Sequence, residues 1–372
     1  MSEEGFLVRR RVRPSFRICW FALVASVLAV GVLSGGCAGG CRRNAAPQKP
    51  LAKGTGMALI GFYENGIGGF FTSSEASLKD HRFNLDTVAF RWYEMQSDGA
   101  VKGTGVNSDI LTFAKNNGIK ALLSVTVKKE VKGLTGPWLT TAAGRKKAID
   151  SITTETASRG YYGVVMDFAG VPKESASSTS TFIRDLAARL HSENRVLGVA
   201  VRPRVDAPAG TDPAVDYGVV ADAADYAFLL AFDRHYAAGD PGPIAPLSWV
   251  EANIKDALRQ VPRGKLVLVN GLFAYDWPSS VKTGLTESMP MWEATSRAGR
   301  YNTAPAYDPV SGESHYSYQA FGETRTVWIQ DGRALKSKLS LAKKYNLSGA
   351  ALWRLGFEDQ GVWEAVKDVY GR

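Results

Sequence analysis

Aromatic, acidic and arginine side chains follow the ends of several short apolar segments of the chain. Flat aromatic faces stack on the apolar faces of sugar rings, whereas carboxylates and arginine bind hydroxyl groups. The set therefore favours a carbohydrate-binding groove, although Trp and Tyr at such positions also serve only to cap a hydrophobic core. Its members are Tyr63, Glu64, Trp92, Tyr93, Glu94, Asp167, Arg202, Asp233, Arg234, His235, Tyr236, Tyr275, Asp276, Trp277, Trp353 and Arg354.

Eight apolar segments of β type alternate with amphipathic helical segments after Met57, which is typical of parallel α/β structure. Eight such units predict a closed (β/α)8 TIM barrel, in which functional side chains gather at the carboxyl ends of the strands. An open doubly wound sheet is the alternative, but no glycine-rich phosphate turn follows the first segment. The predicted strands are 58–63, 87–92, 119–127, 162–168, 196–201, 226–232, 266–272 and 350–355.

Helices are predicted between most of these strands from apolar residues that recur on one face. Residues 273–333 hold aromatic and turn residues instead, so we expect a small α+β insertion between strand seven and helix seven, at the carboxyl end of the barrel. The predicted helices are 108–116, 142–158, 181–191, 249–260, 334–345 and 362–370.

The formal net charge of +9 lies mostly at the start of the chain. Residues 1–56 hold nine basic and two acidic side chains, whereas residues 57–372 hold 36 basic and 34 acidic ones. A surplus of two charges is too small to predict a phosphate-binding surface. We therefore expect no nucleic-acid partner for the folded region.

The residues that commonly hold metals are scarce and scattered. Residues 57–372 contain no Cys, and the four histidines, His81, His191, His235 and His315, are far apart in the sequence. None of these spacings is typical of a zinc site. We expect no metal, no cofactor and no disulfide in this region.

The first 36 residues have the pattern of an export signal or a membrane anchor. Arginines precede an uncharged apolar run, and small residues then lead to Cys37. This pattern predicts a location outside the cytoplasmic membrane. Cys37 is the expected lipidation site, with Cys41 as a competitor, and an uncleaved anchor or simple secretion are alternatives. Residues 37–56 are polar with Pro and Gly, and they predict a tether to a domain at 57–372.

Several motifs in order along the chain resemble glycoside hydrolase family 18, which is chitinase-like, and especially its spore-germination and cortex-lytic branch. The resemblance implies a barrel with an α+β insertion that acts on polymers of N-acetylglucosamine, such as peptidoglycan or chitin. The motifs are GFY at 61–63, FRWY at 90–93, GYYGVVMDFA at 160–169, PGPIAP at 241–246, YDW at 275–277, VWIQD at 327–331 and ALWRLG at 351–356.

The fourth strand departs from the family at its catalytic motif, Asp-x-x-Asp-x-Asp-x-Glu. In the family the Glu protonates the glycosidic oxygen while the substrate's own acetamide attacks the anomeric carbon. The resemblance puts the last Asp on Asp167 and the Glu on Ala169, and Tyr162 and Val165 occupy the first two acidic positions. Alanine cannot transfer a proton, so weak or absent hydrolysis is expected.

The sixth strand departs too, because Phe232 stands where the family has the Tyr that holds the acetamide, while Asp233 remains. By resemblance, Trp353 forms the surface under the central sugar. Glu94 is the best-placed substitute acid, and its alternative is a structural ion pair with Arg91 or Arg202. Asp167 without its Glu neighbour is either a sugar contact or a structural hydrogen-bond acceptor.

The leading hypothesis is an exported, membrane-tethered protein that binds an N-acetylglucosamine-containing polysaccharide with weak or no hydrolysis. The substrate-binding residues expected for it are Tyr63, Trp92, Asp233, Tyr275 and Trp353. One alternative is an active cell-wall or spore-cortex glycosidase with a displaced acid such as Glu94. Another is an envelope or spore scaffold without sugar contact, as expected if the insertion buries the aromatic residues.

Overall fold

The structure is a computed structural model that describes residues 49–54, 56–66, 73–127, 136–207, 214–279, 285–320 and 322–372. The predicted export segment, residues 1–36, lies outside these ranges, as do the candidate lipidation sites Cys37 and Cys41. No helix of the described part is both long and apolar enough to cross a membrane.

The described residues form fourteen strands and ten α-helices. The strands are β1 (Ala58–Tyr63), β2 (Thr87–Met95), β3 (Val101–Gly103), β4 (Lys120–Thr126), β5 (Gly163–Asp167), β6 (Val196–Val201), β7 (Tyr226–Leu230), β8 (Leu266–Gly271), β9 (Phe273–Pro278), β10 (Glu287–Pro290), β11 (Ala306–Asp308), β12 (Glu313–Ala320), β13 (Glu323–Ile329) and β14 (Gly349–Trp353). The helices are α1 (Glu75–Asp80), α2 (Ser108–Asn116), α3 (Pro137–Thr140), α4 (Ala142–Ser158), α5 (Ala176–Ser192), α6 (Tyr217–Ala223), α7 (Leu247–Ala257), α8 (Met291–Arg300), α9 (Gly332–Lys344) and α10 (Gln360–Tyr370).

Eight parallel strands close into a barrel in the order β1, β2, β4, β5, β6, β7, β8 and β14, and β14 pairs again with β1. These are the eight strands expected from the sequence, with small shifts at their ends, and the (β/α)8 TIM barrel is confirmed. The short strand β3 pairs antiparallel with β2 and was not predicted. Neither was α6, a short helix before β7.

Alternate residues of each strand point into the barrel and fill it with apolar side chains. Ile60 and Phe62 of β1 pack there with Phe228 of β7. Gly198 of β6 leaves space for this packing, because a Cβ at that position would lie 2.6 Å from the Phe228 ring. The barrel strands therefore surround an apolar core. Residues from other segments lie at its two ends.

Residues 49–53, which we call the entry segment, close the amino-terminal end of the barrel, which we call the floor. Leu51 is 1% exposed and packs with the barrel interior. Thr87 donates a hydrogen bond to the Leu51 carbonyl at 2.8 Å, and the Tyr162 hydroxyl donates to the Pro50 carbonyl at 3.0 Å. The prediction that residues 37–56 form a tether therefore does not hold for residues 49–53, because they are part of the barrel packing.

Asp86 links the entry segment to the first barrel strand and to the residues after α10. Its carboxylate is fully buried and accepts hydrogen bonds from the backbone N–H groups of Lys53 and Leu59, at 3.0 and 2.8 Å. It also forms an ion pair with Arg372, the last residue. A buried carboxylate requires such partners, since an unpaired charge there would be costly.

The predicted insertion is a five-stranded antiparallel sheet, in the order β10, β9, β13, β12 and β11, together with α8. Asp276 holds it together, because this fully buried carboxylate pairs with Arg297 at 2.6 Å and Arg325 at 2.8 Å. The Tyr318 hydroxyl donates to it as well. Asp276 was grouped with the chemical residues at the strand ends, but its burial makes it a structural residue.

Replacement of Leu51 by Ala tests whether the entry segment belongs to the fold. Because Leu51 fills the floor of the barrel, we expect Leu51→Ala to lower the free energy of unfolding by about 2–5 kcal/mol. Leu285, which is 91% exposed, provides the matched control, and Leu285→Ala should leave stability nearly unchanged. Equal thermal denaturation midpoints for the two variants would contradict the packing described for the floor.

Candidate functional site

A cleft of about 240 Å³ opens at the carboxyl end of the barrel, beside the insertion. Aromatic side chains form most of its wall, and a few polar groups converge on it. Such a combination is typical of a small-molecule or sugar site. The cleft is lined by Glu64, Phe232, Asp233, Phe273, Tyr275, Ser288, Trp353, Arg354 and Phe357.

Glu64 lies directly after β1, on the side that faces the barrel interior, and two arginines bind it. Arg91 of β2 forms an ion pair with one carboxylate oxygen, and Arg354 approaches the other at 3.3 Å. Arg354 is only 4% exposed, so its charge needs this partner. The Arg91 guanidinium also lies over the Trp353 ring at 4.8 Å, which fixes the indole at the cleft.

Asp167, at the end of β5, is also held in an ion pair. Arg202 follows β6 and approaches the Asp167 carboxylate at 3.1 Å. Two residues further on, Ala169 is exposed in a turn and presents only a methyl group. Around the fourth barrel strand, β5, the barrel end therefore offers a paired carboxylate and, two residues later, a methyl group at the position to which the resemblance assigned Glu.

Asp233 differs from Glu64 and Asp167 because its main side-chain partner is a hydroxyl group. The Tyr275 hydroxyl donates a hydrogen bond to the Asp233 carboxylate at 3.0 Å. Burial raises the pKa of Asp233 to about 6, although Tyr275 and the charge of Arg202 act in the opposite direction. The residue has a left-handed backbone with φ of 66°, which Asp tolerates better than most residues. A raised pKa allows the Asp233 carboxyl group to stay protonated in mild acid.

The insertion positions the loop that follows Asp233. Glu313 of β12 is fully buried and accepts hydrogen bonds at 2.7 Å from the backbone N–H groups of both Ile244 and Ala245. Lys338 of α9 binds the same carboxylate at 3.1 Å. Burial lowers the pKa of the Lys338 ammonium, and the charge of Glu313 opposes that shift. The loop is therefore fixed between the sheet of the insertion and α9.

Three of the five expected substrate-binding residues line the cleft, namely Asp233, Tyr275 and Trp353. Tyr63 and Trp92 do not, because they are 1% and 2% exposed and pack against each other at 5.4 Å. Both belong to the apolar layer outside the barrel strands. Their assignment to the groove is therefore corrected: they cap the core, which was the alternative considered for aromatic residues at strand ends.

Glu94 lies at the rim of the barrel but not in the cleft lining. In the strand register it stands opposite Thr126, and Thr126 stands opposite Asp167, so the three residues form one row across neighbouring strands. The two arginines considered as structural partners of Glu94 each bind another carboxylate, Arg91 that of Glu64 and Arg202 that of Asp167.

Three residues of the cleft wall, Phe273, Ser288 and Phe357, were not among those expected at the site, and Phe232 was expected only as a substituted Tyr position. Phe232 and Phe273 pack edge to face at 5.8 Å, and Ser288 and Phe357 complete the lining. The side-chain period of two would have indicated Phe232, since Phe228 and Leu230 of the same strand face the barrel interior. No local pattern indicates Ser288, because β10 reaches the cleft through the fold of the insertion.

The described residues contain no group of three or more His, Cys, Asp or Glu side chains arranged to hold a metal ion. The cleft itself offers aromatic faces for stacking and two carboxyl groups, Glu64 bound by arginines and Asp233 bound by the Tyr275 hydroxyl. Such a set recognises a neutral polyhydroxylated ligand better than a phosphorylated one.

Comparison with known proteins places the chain among glycosidases. The family model "Glycosyl hydrolases family 18" matches residues 66–358. The uncharacterized glycosylase YvbX of Bacillus subtilis is 24% identical over 306 residues, which cover 80% of this chain and 88% of YvbX. The cortical fragment-lytic enzyme of the same organism is 24% identical over 231 residues, 61% of this chain and 54% of that enzyme. This chain thus matches about half of the latter's length.

A solved structure agrees with the sequence comparisons. The crystal structure of a chitinase from Chromobacterium violaceum superposes with a TM-score of 0.77 and 26% identity, over 85% of this chain and 99% of that chain. The family match covers the insertion and every barrel strand except β1, and it confirms the resemblance seen in the motifs. This chain belongs to glycosyl hydrolase family 18.

Proposed function

We propose that this chain binds an N-acetylglucosamine-containing polysaccharide, of the peptidoglycan or chitin type, in its cleft with weak or no hydrolysis. Membership of family 18 implies a polymer that contains this sugar. The proposal of weak or no hydrolysis rests on one observation about the acidic positions of the site. Arginines bind Glu64 and Asp167, and Ala169 has no proton to donate. A site of this kind retains ligand contacts without general acid catalysis.

The cleft supports sugar binding better than the scaffold alternative. That alternative expected the insertion to bury the aromatic residues, but Trp353 remains partly exposed and Tyr275 still reaches the cleft. Arg91 and the edge of Phe62, at 5.1 Å, hold the Trp353 ring in one orientation. A rigid indole loses little entropy when a sugar stacks on it, which favours binding.

Removal of the Trp353 indole tests the binding site. We expect Trp353→Ala to weaken binding to insoluble peptidoglycan or chitin about tenfold or more, because the stacking surface is lost. Trp292 is 45% exposed on the insertion and does not line the cleft, so Trp292→Ala is the matched control. Failure of the unmodified protein to bind either polymer, or equal binding by both variants, would overturn the cleft model.

A second candidate function is an active glycosidase with a displaced acid. Asp233 is a better candidate for the acid than Glu94, because Asp233 lines the cleft and its pKa is raised to about 6. In this reaction the Asp233 carboxyl group gives its proton to the glycosidic oxygen as the bond to the anomeric carbon breaks. The carboxylate then takes a proton from the water that completes hydrolysis.

The pH profile separates the two candidates. If Asp233 is the acid, release of reducing sugar from cortex-type peptidoglycan is greatest below about pH 6 and falls about tenfold per pH unit above it, because the protonated fraction falls. Asp233→Asn then abolishes release, whereas Glu94→Gln leaves it nearly unchanged. No release between about pH 4 and pH 8 supports the binding function. Loss of release in Glu94→Gln alone would restore Glu94 as the acid.

We further propose that the protein is exported and held at the outer side of the cytoplasmic membrane through its N-terminal segment. The support is the sequence pattern of residues 1–36 and the small residues before Cys37. In cells of a bacterial host, Cys37→Ala should move the protein from the membrane fraction to the soluble one if lipidation holds it. Cys41→Ala is the control. If Cys41→Ala leaves the membrane fraction and Cys37→Ala stays in it, then Cys41 is the lipidated residue.

A further inference from the structure

The floor of the barrel is strongly basic. It consists of the entry segment, the connections that lead from each helix into the next barrel strand, the first residue of each such strand, and the residues after α10. Ten basic side chains occur in this set against three acidic ones, Asp86, Glu193 and Asp225. The basic residues are Lys49, Lys53, Arg82, Lys120, Arg159, Arg195, Arg259, Arg263, Lys265 and Arg372.

This charge belongs to the floor and not to the domain as a whole. Residues 49–372 carry +4 in total and the floor alone carries +7, so the remainder is net −3. Three of these cations have an acidic partner, because Arg372 pairs with Asp86, Arg195 with Glu193 and Arg159 with Glu155 of α4. Asp225 accepts hydrogen bonds from His191 and the Leu197 N–H. The floor still carries a net positive charge. One end of the barrel therefore presents a cationic surface while the rest is weakly anionic.

Helix ends hold several of these cations in place. The Lys49 ammonium donates to the Asn194 carbonyl at 2.6 Å, and Lys53 donates to the Asn117 carbonyl at 3.3 Å. These carbonyls lie at the carboxyl ends of α2 and α5, where the helix dipole is negative. A carbonyl carries no net charge, and an ammonium has three N–H donors. The lysines are thus oriented but not neutralised.

A cavity of about 400 Å³ lies among these cations. Lys49, Lys115, Lys120 and Arg195 line it, with Glu193 as the acidic side chain of the lining. Burial lowers the pKa of Lys115, and the nearby Arg195 lowers it further. A bound anion would relieve that repulsion, and the concave shape gives a phosphate group access to several cations at once.

An exposed aromatic residue lies on the same floor. Phe83 follows α1 and is 73% exposed, and the Arg82 guanidinium lies over its ring at 4.3 Å. Large apolar side chains with neighbouring cations are typical of surfaces that bind the interface of an anionic bilayer, where the ring enters the headgroup region. An exposed phenyl ring offers no favourable contact to a soluble phosphate group.

We propose that the floor is a docking surface for an anionic phospholipid bilayer, which leaves the cleft at the opposite end of the barrel pointing away from the lipid. The entry segment itself packs into this floor. The proposal is independent of the sugar ligand, since no residue of the cleft takes part.

Hydrogen exchange of the full chain tests the proposal on vesicles of phosphatidylcholine with and without phosphatidylglycerol. Adsorption alone is not a sufficient readout, because an N-terminal anchor would hold the protein on either lipid. On the anionic vesicles we expect amide exchange in the floor connections 81–86 and 193–195 to slow several-fold, with no change in the cleft loop 233–246. Equal exchange on both lipids would overturn the docking surface.

Charge reversal provides the matched variants. Arg82→Glu, Arg259→Glu and Arg263→Glu together should abolish the slowing on anionic vesicles. Lys102→Glu, Lys146→Glu and Lys336→Glu change the net charge equally on exposed residues outside the floor, and this triple variant should retain the slowing. The same loss in both triple variants would show a general charge effect and contradict the proposal. If inorganic phosphate alone slows amide exchange in the floor connections as much as the anionic vesicles do, the ligand of the floor is a soluble phosphate compound and the bilayer proposal is wrong.

Discussion

The carboxylate of Glu64 sets the arrangement of the barrel's carboxyl end. It accepts Arg91 from one neighbouring strand and Arg354 from the other, and the Trp353 ring lies against Arg91. Charges at a partly buried strand end are tolerated only when they are paired, so this single acidic side chain fixes two arginines and, through them, the indole. The aromatic wall of the cleft is therefore held by an ion-pair cluster and not by packing alone.

The same cluster bears on the proposal that this family 18 barrel binds a sugar with weak or no hydrolysis. Arginines occupy the Glu64 and Asp167 carboxyl groups in ion pairs. Asp233 has the opposite environment, because burial favours its protonated form. The cleft thus holds two kinds of carboxyl group, Glu64 bound by arginines and Asp233 bound by the Tyr275 hydroxyl. The opposite end of the barrel has a distinct, cationic character.

The sequence predicted the barrel well because its strands are apolar runs bounded by helices, and all eight are present. The groove was harder to predict. The alternation of Ile60 and Phe62 toward the interior turns Tyr63 outward and Glu64 inward. In β2, Ala89 faces the interior, and the same alternation turns Arg91 inward and Trp92 outward. The entry segment has no periodic pattern, so the burial of Leu51 depends on contacts distant in the sequence.

The central claim is that the cleft holds an N-acetylglucosamine polymer without breaking it. The most direct test is a crystal structure of the protein after prolonged soaking with a short N-acetylglucosamine oligomer at a pH near 5, where Asp233 is mostly protonated. We predict an intact oligomer with one sugar stacked on Trp353 and hydrogen-bonded near Asp233 and Tyr275. Cleaved product in the cleft, or an oligomer bound elsewhere with the cleft empty, would contradict the account.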